Sequence, residues 1–276
     1  MRAEEKTDRF GNPHAPDLPY ARGAFIRDTA DDLAKLRHAW RLLKGRIDAQ
    51  GLDAVYNFSG LDRRLDLDDV DLNFLDDEIA PAVYVDDLTR LGLEHLGGDS
   101  ERHDIFTLNR LTAGLLIAAE ILVSPDDRVI GVSPRYSHPA VRRAVKRAGG
   151  RFEDVAGVEA FRAAIKTAPA PKVVFVTRLS VSYEILPEAD LREIFTLAKN
   201  AGARIIVDDA GGARVGPAIF DQPGALALGA DVAATGLDKY GTLGPRIGLL
   251  GGEKEIVARI RARAFEIGAE LRPMLY

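Results

Sequence analysis

The chain has no cysteine. Disulfides, thiolate metal sites and thiol catalysis are therefore excluded, while the compartment is left open. Its five histidines are scattered, with no H-x-x-x-H or comparable spacing, so no metal site is expected. No apolar run approaches membrane-spanning length. The first twenty residues mix charges with prolines and carry no apolar stretch of the signal-peptide kind, which makes a cytoplasmic protein the default expectation. Basic charge is not in excess: 37 Lys and Arg against 42 Asp and Glu give a formal net charge of −5, and this argues against nucleic acid as a partner. A G-x-G-x-x-G turn after a strand is also missing, which weakens a Rossmann-type nucleotide site.

What is there describes a globular α/β chain. Apolar residues make up 46% of 276 positions and charged ones 29%, enough for one large core with or without a small appendage. Strand-like segments at 129–132, 173–177, 204–207 and 230–235 lack polar alternation. They are interleaved with helical patterns at 112–122, after His138, at 157–167 and at 188–200. That order predicts a mostly parallel sheet covered on both faces. Residues 1–28 read as an irregular, proline-punctuated arm. Thr29 and Asp32 open a helix in capping-box style. Leu33, Leu36, Trp40, Leu43 and Ile47 share one face of it, expected to be packed with Trp40 in the core, while Arg37, Arg41, Lys44 and Arg46 form a solvated face. Residues 61–78 alternate Leu with Asp and read as turns and short helix; they lack an EF-hand pattern. The expected division is an N-terminal arm, helix and acidic segment over 1–96, an α/β domain over 97–255, and a closing helix with the start of a linker over 256–276.

The stretch that organises the rest is 204–252. Ile205, Ile206 and Val207 make a buried strand end, and Asp208 and Asp209 follow at the edge where ligands sit in open parallel sheets. The next strand delivers Asp238 and Lys239 into a loop with glycines at 236, 241 and 244. A lysine so placed can bond to an aldehyde cofactor while the acid holds a pyridinium nitrogen.

This stretch resembles the core of the fold-type I pyridoxal-phosphate enzymes, and within them the branch of selenocysteine synthase and D-glucosaminate-6-phosphate ammonia-lyase. The resemblance implies a three-layer sandwich with a mostly parallel central sheet, the type I large-domain fold. It also implies pyridoxal 5′-phosphate as cofactor, with Lys239 as its Schiff-base lysine, Asp208 at the ring nitrogen and Ala210 against one ring face. Asn109 and Thr112, before and within the first helix of the sheet domain, would grip the phosphate. There Asn109, Arg110 and Leu111 replace the family's usual small residues. His138, in an H-x-x-V setting, would stack on the ring or shuttle protons, with Tyr136 as a competitor for stacking. Ser180 and Ser182 would approach the ring hydroxyl or substrate, and Thr235 the phosphate. Thr242 would reach a neighbouring subunit's phosphate. Phe58, Ser59 and Gly60 match the family's entry segment only loosely.

Arg246 and Arg272 are the expected clamps for a substrate carboxylate or phosphate. The implied activity is that of a lyase or transferase, acting by β-elimination or β-replacement on an amino acid or amino-sugar acid. The alternative is a non-catalytic or partner-requiring subunit of a heteromeric enzyme, because relatives usually carry a further small C-terminal domain. A homo-oligomer, dimer or higher, or a heteromer with a second subunit is expected, and a tRNA-dependent role is disfavoured by the acidic total.

Overall fold

In the computed structural model the described residues are 29–59, 61, 63–65, 67, 71–240 and 243–276. The expected arm over 1–28, residues 62, 66 and 68–70 of the acidic segment, Gly60 and Thr242 fall outside them, as do the side chains of Thr29 and Asp32. Contacts divide the chain between Ser59 and Gly60.

The first unit contains helix α1 (Thr29–Gln50) and a 3₁₀ turn at Leu52–Ala54. The apolar stripe forms as a stripe, but it is not core: Trp40 is 57% exposed and Leu33 53%. Among the described residues of this unit, the short turn beside α1 buries no residue. A helix's apolar face gains its stabilisation from a partner surface, which periodicity alone does not supply.

The second unit is built on a seven-stranded sheet in the order β1-β7-β6-β5-β4-β2-β3. Its strands are β1 (His103–Leu108), β2 (Arg128–Ser133), β3 (Arg151–Ala156), β4 (Val173–Thr177), β5 (Arg204–Asp208), β6 (Val232–Gly236) and β7 (Gly248–Glu253). The pairs β2/β3, β2/β4, β4/β5 and β5/β6 are parallel. Only β7 runs against its neighbours β1 and β6. Helix α2 (Ile79–Leu96) joins the sheet rather than the preceding segment, since Leu93 and Leu96 belong to one of its cores, and Gly97 ends it in the left-handed region.

Two cores lie on opposite faces. One gathers α2, α5 (Gly157–Ala164) and α6 (Glu188–Asn200) against Ile130, Val174, Val176, Ile205 and Val207. The other gathers α3 (Leu111–Leu122), α4 (Pro139–Arg147) and α8 (Lys254–Ile267) against Val129, Val173, Phe175 and Ile206. Neighbouring strand residues thus go to opposite cores, which explains why these strands are apolar throughout rather than alternating. Helix α7 (Gly212–Phe220) follows β5. Among the described residues no helix is long and apolar enough to cross a membrane.

Candidate active site

Parallel β4, β5 and β6 end at the same sheet edge, where Thr177 pairs with Asp208 and Asp208 with Ala234. Asp208 is the last residue of β5 and faces the α3/α4/α8 side, as Ile206 does. Lys239 follows β6 after a short turn, and that loop is closed at its base by Leu237 N–H donating to the Ile247 carbonyl at 2.9 Å. A Cβ on Gly236 would lie 3.3 Å from Lys239 Cε, so the lysine stem runs back over the strand end.

One cavity is lined by Asp208, Ala210, Asp238, Lys239, Arg246 and Ile247, together with Arg110, Leu111 and Thr112 from the start of α3. Leu115, His138, Ala140 and Arg63 complete its wall. Helix α3 begins at this wall without a side-chain cap, leaving first-turn amides for an anion. It is pressed into place by β7: a Cβ on Gly248 would come within 2.5 Å of the Arg110 carbonyl carbon and the Leu111 nitrogen.

Burial pushes the Asp208 carboxyl up to about 6, opposed by Lys239 and by the backbone N–H of Ala210. Its Oδ1 is buried with no hydrogen-bond partner among the described residues. Burial likewise pushes His138 down to about 4, aided by Arg143 and Lys239, so the imidazole is neutral at pH 7. His138 is the N-cap of α4: its Nδ1 accepts the Ala140 N–H at 3.1 Å, which leaves the ring proton on Nε2. The Arg246 guanidinium is held below its ordinary value, first by partial burial and then by Arg63 and Arg110, with Asp238 opposing. Three guanidiniums converging this way favour an anionic ligand.

Of the residues expected from sequence, Thr112, His138, Asp208, Ala210, Lys239 and Arg246 come together here. Others do not line the cavity. The Asn109 side chain is exposed while its N–H donates to Ala269. Ser182 is exposed and bonds Ser180 and Glu184. Thr235 is buried behind the wall, with its hydroxyl 3.3 Å from the Ala210 carbonyl. Arg272 is paired with Asp77. Arg63, Arg110 and Asp238 are lining residues that the sequence did not single out as ligands. Arg110 stood beside the chosen Asn109. Arg63 carried no signal, since only the folded chain brings it 2.8 Å from Asp238.

A buried carboxylate with an unmet oxygen, a lysine in the same cavity and an uncapped helix start suit a ring nitrogen, an aldehyde and a phosphate in turn. The residues present therefore fit a pyridoxal-phosphate group.

No family model matches the chain. It is 30% identical over 251 residues to a UPF0425 pyridoxal phosphate-dependent protein of Methanothermobacter thermautotrophicus, covering 91% of this chain and 64% of that protein. A protein of the same description from Methanosphaera stadtmanae is 29% identical over 248 residues, covering 90% of this chain and 62% of that protein. The chain thus spans slightly less than two thirds of the length of these curated relatives. A methionine gamma lyase from Micromonospora echinospora superposes with a TM-score of 0.54 at 18% identity, over 69% of this chain and 50% of that one. With the sheet order and the two flanking layers, that likeness gives the chain the fold of the type I pyridoxal-phosphate enzymes.

Proposed function

We propose that the chain is a pyridoxal-phosphate-dependent lyase or transferase, acting on an amino acid or amino-sugar acid by elimination or replacement at the β-carbon. The observation that carries this is the unpartnered Oδ1 of buried Asp208 in the cavity that Lys239 lines. The cofactor, when bound, takes up the electron pair released as a bond at the substrate's α-carbon breaks.

The chain's own residues do the rest. Lys239 would hold the cofactor through its amine and, with that amine free once substrate has taken its place, would move the proton at the substrate's α-carbon. Asp208 keeps a proton on the ring nitrogen. Ala210 and His138 bound the ring, and neutral His138 offers a flat face with an Nε2–H donor. The start of α3, Thr112 and Arg110 bind the phosphate, leaving Arg246 for the substrate carboxylate. Within the class, the resemblance of the 204–252 stretch supports a reading in the selenocysteine synthase and D-glucosaminate-6-phosphate ammonia-lyase branch. Completion of the site by a second subunit, identical or not, belongs to the same proposal, with Thr242 as its candidate contact.

Borohydride reduction after incubation with cofactor, followed by peptide mass mapping, tests the core of it. The expected result is a stable label on Lys239 that disappears in Lys239→Ala. A label elsewhere, or none, overturns the reading.

A further inference from the structure

Lys239 stands between two anchored residues. Asp238 before it is buried and pairs with Arg63. Tyr240 after it is half-buried and seated on Gly211, where a Cβ would stand 2.3 Å from Tyr240 Cε2 and 2.8 Å from Cδ2. The ring thus fills the space that a side chain at 211 would need. Gly211 follows Ala210, which lines the cavity. Leu179 Cδ2 comes within 3.1 Å of the same point, so the connections leaving β4, β5 and β6 meet at the Tyr240 ring. Gly212 and Gly216 of α7 have a different duty, leaving room for the buried ion pair of Arg178 and Asp209.

The backbone marks the same residue. Tyr240 has a φ of 45° and Tyr183 one of 64°, a region in which a bulky side chain is an outlier. Left-handed backbone is costly for such a residue, and glycine in its place would remove the cost. The two tyrosine side chains hydrogen-bond each other. Tyr183 sits in a short hairpin closed by Ser180 N–H donating to the Glu184 carbonyl at 2.9 Å, with Leu179 bridging Ile185. Strain kept at two bonded residues, one of them next to the cavity's lysine, is a feature that functional sites retain.

We propose that Tyr240 is a positioning residue for Lys239: with its ring on Gly211 and its hydroxyl bonded to Tyr183, it fixes where the lysine side chain leaves the β6–β7 connection and so holds the amine in the cavity. This rests on the reading of Lys239 as the residue that joins the cofactor. The lysine stem runs back over the strand end at Gly236, and an amine meets an aldehyde productively only over a narrow range of distance and angle. Arg63 and Asp238 hold the chain before the lysine. Tyr240, Gly211 and Tyr183 hold it after.

The experiment compares two ligands on the full chain. Pyridoxal phosphate has an aldehyde that condenses with the lysine amine with loss of water. Pyridoxamine phosphate has the same ring and phosphate and no aldehyde, so the two affinities separate lysine placement from the fit of the cavity. Tyr240→Ala should weaken pyridoxal phosphate about tenfold or more, while pyridoxamine phosphate changes by no more than about twofold. Tyr240→Phe keeps the ring on Gly211 and should lie between the native protein and Y240A. Tyr183→Phe removes the same hydrogen bond, so it should match Y240F, and Y183F/Y240F should be no worse than either. Gly211→Ala keeps Tyr240 but pushes its ring away, and the φ of −115° at Gly211 is one that alanine adopts. It should repeat the Y240A pattern. Should Y240A fail to fold, G211A and Y240F still decide.

Acetic anhydride, which acetylates an amine and releases acetate, gives a second reading on cofactor-free protein. Acetylation of Lys239 relative to Lys254, exposed at the start of α8, should rise several-fold in Y240A and G211A as the loop loosens. A rise there, with Lys239 unlabelled by pyridoxal phosphate in the native chain, keeps the role of Tyr240 and sinks the cofactor reading. Equal losses of affinity for the two ligands, or an unchanged Lys239 ratio in the folded variants, overturn the proposal.

Discussion

Arg63 Nε lies 2.8 Å from Asp238 Oδ2, although 175 positions separate the two residues. Asp238 is buried and adjoins Lys239, so this pair ties the loop that carries Lys239 to a segment that precedes the whole sheet. Removing one partner strands a desolvated carboxylate. Arg63→Met is expected to destabilise the chain by about 1–3 kcal/mol, less than for a wholly buried pair because Arg63 is partly exposed. R63M/D238N should recover much of the loss. Urea unfolding of both variants checks it, and equal losses would show that the stranded charge is not the cause.

Asp208 sets function against stability. Its folded-state midpoint near 6 lies above the ordinary 3.8, so between these values the folded chain binds the proton more tightly than the unfolded one. The group's contribution is fully present below about pH 4 and lost as pH rises through 6. Asp208→Asn should therefore make the cofactor-free protein more stable at pH 7, by about 1–3 kcal/mol, with the gain fading toward pH 4. Thermal unfolding at the two pH values measures this. The same variant should turn over far more slowly once loaded, and undiminished turnover would point to another partner for the ring.

His138 has the opposite sign. Its folded midpoint of about 4 lies below the ordinary 6.5, so the stability it contributes is present above 6.5 and falls away as pH drops through 4. With Nδ1 taken by Ala140, the ring can stack and donate but has no free acceptor. His138→Phe keeps a flat ring and loses the cap, at about 1 kcal/mol of stability. On the proposed reaction, its activity should stay within about tenfold of the native protein's, while that of His138→Ala falls further. Equal losses in the two variants would mean that the imidazole proton, rather than the ring, matters.

Gly248 tests the anion end of the cavity. Gly248→Ala pushes a methyl into the start of α3 and turns its amides away from the wall. Affinity for pyridoxal phosphate should fall about tenfold or more, whereas binding of pyridoxal, which lacks the phosphate, should change little. Comparing the two ligands by fluorescence titration separates a lost phosphate site from a general collapse.

The parallel part of the fold was legible because its strands are short β-branched runs between clear helical patterns: the segment at 173–177 is β4, and that at 188–200 is α6. Strands β1, β3 and β7 were not read. HDIFTL and RFEDVA carry charges, and GLLGGE carries glycines where a partner backbone comes close, as at Gly252 beside the Asp231 carbonyl. Helix α7 was hidden for a related reason, since its glycines serve a buried ion pair rather than a turn. Asp208 and Lys239 could be picked from order and spacing because both sit at ends of readable strands. Arg63 could not, as nothing local marks a residue whose partner lies across the fold. Trp40 shows the converse: its period-3.6 stripe is real, yet periodicity carries no information on whether a surface waits to receive it.

Strand β7 returns alongside β6, pairing Gly236 with Gly248, so the chain that carries Lys239 leaves and re-enters the sheet between neighbouring strands. Closing a loop costs little more as it lengthens, about 0.6 kcal/mol per doubling. The hairpin base can therefore absorb insertions between 237 and 247 at small cost to the fold. What such changes alter is the surroundings of the Lys239 amine, while the sheet, Asp208 and the start of α3 stay as they are.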